Sequence, residues 1–133
     1  MKEGFVTPLL RRPSVALCMR NERNGRVLAD HVLSAFDSRT RRAGLLGHDS
    51  LPGGHAMVIA PTNAVHTWFM RFDIDLAFVD RRGRVVKVRH SVKPWRVSAA
   101  MRAYAVVELA SGSLARCDTL VGDTLAILPA ALI

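Results

Sequence analysis

The residues best suited to contact a ligand crowd into one stretch: His66, Trp68, Arg71 and Asp75. On a concave sheet face Trp68 offers a stacking surface, His66 a hydrogen-bonding imidazole, and Arg71 a charge that would select an anionic or carboxylate group. Trp95 and Arg96 lie further on, in a segment without periodicity, where they could close over such a site as a lid. A plainer reading competes. Trp68 and Met70 would be core, His66 a partly buried hydrogen-bonding residue, Arg71 a partner of Asp73 or Asp75, and Trp95 a plug at one end of a barrel. Catalysis has a thinner basis. His66 with Asp75 or Glu108 would make a hydrolase-type acid–base pair only if folding brings imidazole and carboxylate within hydrogen-bond reach, which spacing does not decide.

Other chemistries lack their residue patterns. The five histidines, His31, His48, His55, His66 and His90, show neither HxH nor HxxxH spacing, so no metal or other cofactor is expected. Cys18 and Cys117 sit in no CxxC or Cys/His pattern and read as small buried hydrophobes. Neither has a neighbouring His, and no G-x-S-x-G elbow occurs. The 19 Lys and Arg against 11 Asp and Glu give a net charge of +8, and all the cations except Arg116 precede Ala103. A basic face would attract nucleic acid, anionic lipid or acidic proteins. These cations, nearly all arginine, are scattered among apolar residues, an enrichment that GC-rich coding also produces. With no helix-turn-helix, zinc-finger or aromatic ribonucleoprotein pattern to organise them, specific nucleic-acid recognition is not expected. The expected partner is a small anionic molecule or a protein, bound without chemistry. No stretch approaches the roughly 18 apolar residues of a membrane span. The N-terminus lacks an apolar signal core, so a cytoplasmic location is expected.

The elements that must position these groups follow from periodicity. The even positions from His66 to Phe78 point one way if the backbone stays extended. An unbroken strand over 64–80 would span roughly 55 Å, too long for a domain of this size. A bend at Arg71-Phe72-Asp73 therefore divides it into strands over about 64–70 and 75–80. Asp80-Arg81-Arg82-Gly83 is a turn, with Asp accepting backbone N–H groups and Gly supplying positive φ. The outgoing strand should send Val86 and Val88 to one face and Lys87 and Arg89 to the other. Further strands are expected over 15–19, 26–28, 31–36, 56–60, 103–109 and 124–128, with 56–60 central because it is continuously apolar. Residues 90–101 read as a loop. A short helix over 39–46, capped by Asp37 or Ser38, would place Arg39 and Arg42 on one side, where they are either solvated or a weak anion-binding fork. Residues 1–13 form a basic, proline-punctuated arm, and 14–133 a single β-domain, an antiparallel barrel or jelly-roll-like sandwich with one or two short helices.

Several motifs recur here in a particular order: Thr40-Arg41-Arg42-Ala43-Gly44-Leu45-Leu46-Gly47, the run from His66 to Asp75, the Asp80 to Gly83 turn, Lys93-Pro94-Trp95-Arg96 and Val121-Gly122-Asp123. In this order the chain resembles the domain of unknown function 192 family over roughly residues 30–128. Asp73 stands where that resemblance leads one to expect proline, so the bend has no ring-fixed φ at that point. The resemblance implies a compact, mainly β domain and no settled activity.

Overall fold

The computed structural model describes residues 4–11, 15–36, 51, 53–68 and 70–132. Among the described residues, ten strands form three sheets. β1 (Leu17–Asn21) lies between β2 (Val27–Ala29) and β10 (Leu125–Pro129). A five-stranded sheet runs in the order β3 (His31–Ala35), β4 (His55–Ile59), β9 (Ala105–Ala110), β6 (Ile74–Val79), β7 (Val85–Val92). β5 (Ala64–His66) and β8 (Val97–Ala99) form a separate ribbon. The protein is mainly β, as expected, and sandwich-like rather than a closed barrel. It is mixed rather than purely antiparallel, because β3 and β4 run parallel.

Alternation along the central strands builds two cores. Ala77, Val79, Val107 and Leu109 face Leu17, Met19, Leu28 and Ile127 of the three-stranded sheet. Ile74, Leu76, Phe78 and Val106 face the other way, toward Leu51, Met57, Met70 and Val92. Covered on both faces, β6 buries every residue, and β4 sits centrally as its unbroken apolar run requires. Part of the N-terminal arm is docked. Phe5 and Val6 are buried in the first core, and the Phe5 N–H donates to the Arg81 carbonyl at 2.7 Å.

The β6–β7 hairpin closes as its sequence directs. Asp80 Oδ1 accepts the N–H groups of Arg82 and Arg84 at 2.9 and 3.0 Å, and Gly83 has φ +88°. A Cβ on Gly83 would collide with the Leu125 carbonyl oxygen, so glycine is required there by space as well as by conformation.

The faces of β7 correct the expectation. Pairing steps from Val79 opposite Val85 to Phe78 opposite Lys87, a bulge that turns Val86 into the second core while Val88 packs on the first. The 90–101 segment is also more ordered than a loop: β7 continues to Val92, and Val97–Ala99 is β8. Conversely, the strand expected over 64–70 stops at His66. The expected helix carrying Arg39 and Arg42 lies outside the described residues.

A second irregularity, between Ile74 opposite Val92 and Leu76 opposite Arg89, sets His90 and Ser91 against Asp75. Ser91 takes φ +47°, a left-handed conformation that a non-glycine residue holds only when it is pinned. The pin is Asp75. Its fully buried carboxylate accepts N–H groups from Ser91 (2.8 Å), Gly112 (3.1 Å) and Leu114 (3.0 Å), the last two opening the one-turn helix Ser113–Arg116. Asp75→Asn would turn an amide N–H₂ toward backbone donors and leave at least one orphaned. A loss of about 3 kcal/mol is expected in urea unfolding, with Asp75→Ala costing at least as much.

Candidate binding site

The candidate site is built on Thr67, the residue after β5, which is 2% exposed. Its N–H donates to the Arg96 carbonyl (2.8 Å), and its carbonyl accepts the N–H groups of Met70 (3.1 Å) and Trp95 (3.0 Å). Its hydroxyl donates to the Lys93 carbonyl (2.7 Å) and accepts the Arg96 N–H (2.9 Å). One small β-branched residue thus ties the start of the bend to the 93–96 segment and holds Trp95 at φ +65°.

From this knot several large side chains reach solvent. His66 lies directly opposite Val97 across the ribbon, so both occupy its outer face. The inner face carries Val65, packed on the second core, and Ser98, whose hydroxyl accepts from Arg89 Nη1 at 3.2 Å. Trp68 sets its ring 4.9 Å from that of His66, tilted 31°. Trp68, Trp95 and Val97 remain 45%, 58% and 61% exposed. Arg96 is exposed beside them, its Nη1 donating to the Pro94 carbonyl at 3.1 Å, and Lys93 pairs with Asp73 at 3.8 Å. The result is an open aromatic and basic surface.

Of the residues expected to form a site, folding gathers His66, Trp68, Trp95 and Arg96 around Thr67, with Arg71 exposed on the following bend. Asp75 is removed from the group. It is fully buried and both carboxylate oxygens are taken up by backbone N–H groups, so it has nothing left for a ligand. Met70 is core, as the plainer reading held, but Trp68 is not. No hydrogen bond joins His66 to Asp75 or Glu108. The acid–base pair considered for a hydrolase is therefore not formed in this structure.

Two further polar groups stand apart from this surface: Glu108, considered above only as a partner for His66, and His55, noted only among the histidines. Among the described residues, the buried side-chain polar atoms without a hydrogen-bond partner are Glu108 Oε2 and His55 Nδ1. Glu108 sits mid-β9 between Met57 of β4 and Leu76 of β6, facing the second core. His55 lies two residues before Met57 on the same face of β4, a diagonal step from Glu108. The His55 ring stacks on His31 at 4.7 Å, and His31 Nδ1 meets Asp30 Oδ1 at 2.9 Å, which holds the Asp30 carboxyl below its usual value. The only sequence signal was a lone carboxylate within the apolar run of β9. The described residues hold no group of three or more His, Cys, Asp or Glu arranged for a metal ion. Cys18 and Cys117 are free and buried, as expected.

Fold and surface together define a small mixed-sheet β domain with an exposed aromatic and basic face. Its sequence matches DUF192, an uncharacterized ACR, over residues 19–127, and the chain belongs to that family. The match begins in β1 and so takes in the three-stranded sheet as well as the larger one. Two solved structures share the fold. One, from Sinorhizobium meliloti 1021 and proposed to be a transcription regulator, has a TM-score of 0.71 at 19% identity, covering 84% of this chain and 91% of its own. The other, a protein of unknown function from Novosphingobium aromaticivorans DSM 12444, has a TM-score of 0.71 at 20% identity, covering 83% and 82%. No curated protein matches the sequence. No helix among the described residues is long and apolar enough to cross a membrane.

Glu108 supplies a pH signature. Burial pushes its pKa from 4.5 up to about 7, so the folded state holds a proton that the unfolded chain has already released. Stability from this group is therefore complete below about pH 4.5 and falls as pH rises toward 7. Glu108→Gln should abolish that decline and gain on the order of 3 kcal/mol relative to wild type at pH 8, read from urea unfolding at a series of pH values.

Proposed function

We propose that this domain is a non-catalytic binding module whose working surface is the outer face of the β5–β8 ribbon together with residues 93–96. The partner it suits is a protein segment presenting apolar side chains beside one or more carboxylates. The observation that carries this reading is the exposure of Trp68, Trp95 and Val97 around the single buried knot at Thr67. Tryptophan and arginine on a rigid frame are the usual anchors of recognition surfaces, because they bring large contact area with little conformational freedom to lose. Arg71 and Arg96 favour an anionic group at the rim, and their contribution should weaken with salt. An open surface fits a peptide segment better than a small molecule, which needs a concavity to cover it.

The test is selection of ligands from a displayed library of linear peptides, followed by titration against exposed-residue variants. Trp68→Ala and Trp95→Ala should each weaken the selected peptides at least tenfold while the melting temperature stays within a few degrees of wild type. Arg96→Ala should cost less, with most of its effect gone at high salt. Peptides that bind both tryptophan variants as tightly as wild type would place the working surface elsewhere.

A further inference from the structure

We infer that the end of the β6–β7 hairpin is a second interaction surface, one that takes the phosphate backbone of a nucleic acid without reading its sequence. It is separate from the ribbon surface and does not depend on it. Four arginines meet here: Arg81, Arg82 and Arg84 from the turn, and Arg102 from the segment between β8 and β9. Arg81 lies over the Tyr104 ring, 4.3 Å from its centroid. Arg82, Arg84 and Arg102 are exposed, and their side chains make no hydrogen bond or ion pair with a described residue. The one acid among them, Asp80, already accepts two N–H groups of its own turn through Oδ1.

Some cations elsewhere are answered by acids. Arg20 pairs with Glu22, Arg23 with Asp118 and Asp123, and Lys93 with Asp73. Arg26, Lys87, Arg89 and Arg96 each donate only to a backbone carbonyl or a serine hydroxyl among the described residues, whereas at this end four arginines share one patch. The backbone beneath it is firm: the Arg81 carbonyl accepts from Phe5, the Gly83 carbonyl from Leu125, and the Asp123 carbonyl from Val85. Shallow depressions of ≈ 370 and ≈ 470 Å³ flank the Asp80/Arg102 ridge, one bordered by Arg81, Arg82 and Tyr104 and the other by Arg84 and Val121. Cations spread along both sides of a ridge suit a chain of regularly spaced anions better than one isolated ion. Guanidinium forks engage phosphate oxygens in pairs, and each phosphate neutralised releases counterions.

The experiment uses the full chain and a fluorescein-labelled, mixed-sequence single-stranded DNA of about 20 nucleotides, followed by anisotropy from about 50 to 200 mM salt. Wild type should bind at low salt with little sequence preference. The triple variant Arg82→Ala/Arg84→Ala/Arg102→Ala should lose at least tenfold in affinity, and its log K against log salt slope should be shallower by about 2, the value for three phosphate contacts on a single strand. Arg116→Ala, an exposed arginine outside this group, is the control and should bind as wild type. No binding at low salt, an unchanged triple variant, or equal loss in the control overturns the inference. So does displacement of the DNA by polyglutamate at equal charge concentration, which would mark the surface as one for acidic proteins. Because all the substitutions are at exposed side chains, unchanged thermal unfolding separates lost binding from lost fold.

Discussion

A buried carboxylate that satisfies three backbone N–H groups is the constraint on which the rest of this structure leans. Asp75 lies mid-sheet, where an unpaired charge would cost several kcal/mol, and it is tolerated because its oxygens take N–H groups from two other segments. The Ser91 bond fixes the bulge at which β7 leaves regular pairing. The Gly112 and Leu114 bonds fix where the chain turns after β9. Ser91 lies two residues before Lys93, whose carbonyl receives the Thr67 hydroxyl. The interior of the sheet thus sets the position of the 93–96 segment on the surface.

That coupling accounts for an exposed face that is also rigid. Leaving a large apolar side chain in water forgoes about 2 kcal/mol of burial, and three such side chains stand together on or beside the ribbon. The Thr67 knot orders the backbone beneath them without their help, so their exposure is not a sign of local disorder. A surface already ordered before binding has less entropy to lose when a partner arrives.

The acids explain the charge distribution as much as the bases do. Asp75 is consumed inside the sheet and Asp80 within its turn. Asp123 is held well below the usual carboxylate range, at about 2, first by its hydrogen bond with Arg23 and further by Asn21 and the Leu120 N–H. Glu108 is driven toward its neutral form by burial. Four of the eleven acids are therefore drawn into structural roles, and the side chains of Arg82, Arg84 and Arg102 are left without a carboxylate partner among the described residues.

What could be read directly was what neighbouring residues decide among themselves. The Asp80 to Gly83 turn, the central placement of β4, the break near Arg71 to Asp73 and the mainly β class all follow from turn chemistry and from two-residue alternation. The family resemblance was legible in the same local motifs. What only the tertiary structure decided was which polar groups are spent and which are free. Asp75 looked like a ligand contact and proved to be a structural acceptor for N–H groups 16, 37 and 39 residues away. Thr67 drew no notice, yet its hydroxyl closes onto carbonyl and amide groups 26 and 29 residues further along. The bulge at Val86 overturned a clean alternation, and β8 appeared where no periodicity announced a strand. Each of these depends on hydrogen bonds between side chain and distant backbone, or on slippage between paired strands. Such bonds have no period along the chain, so folding alone brings their partners together.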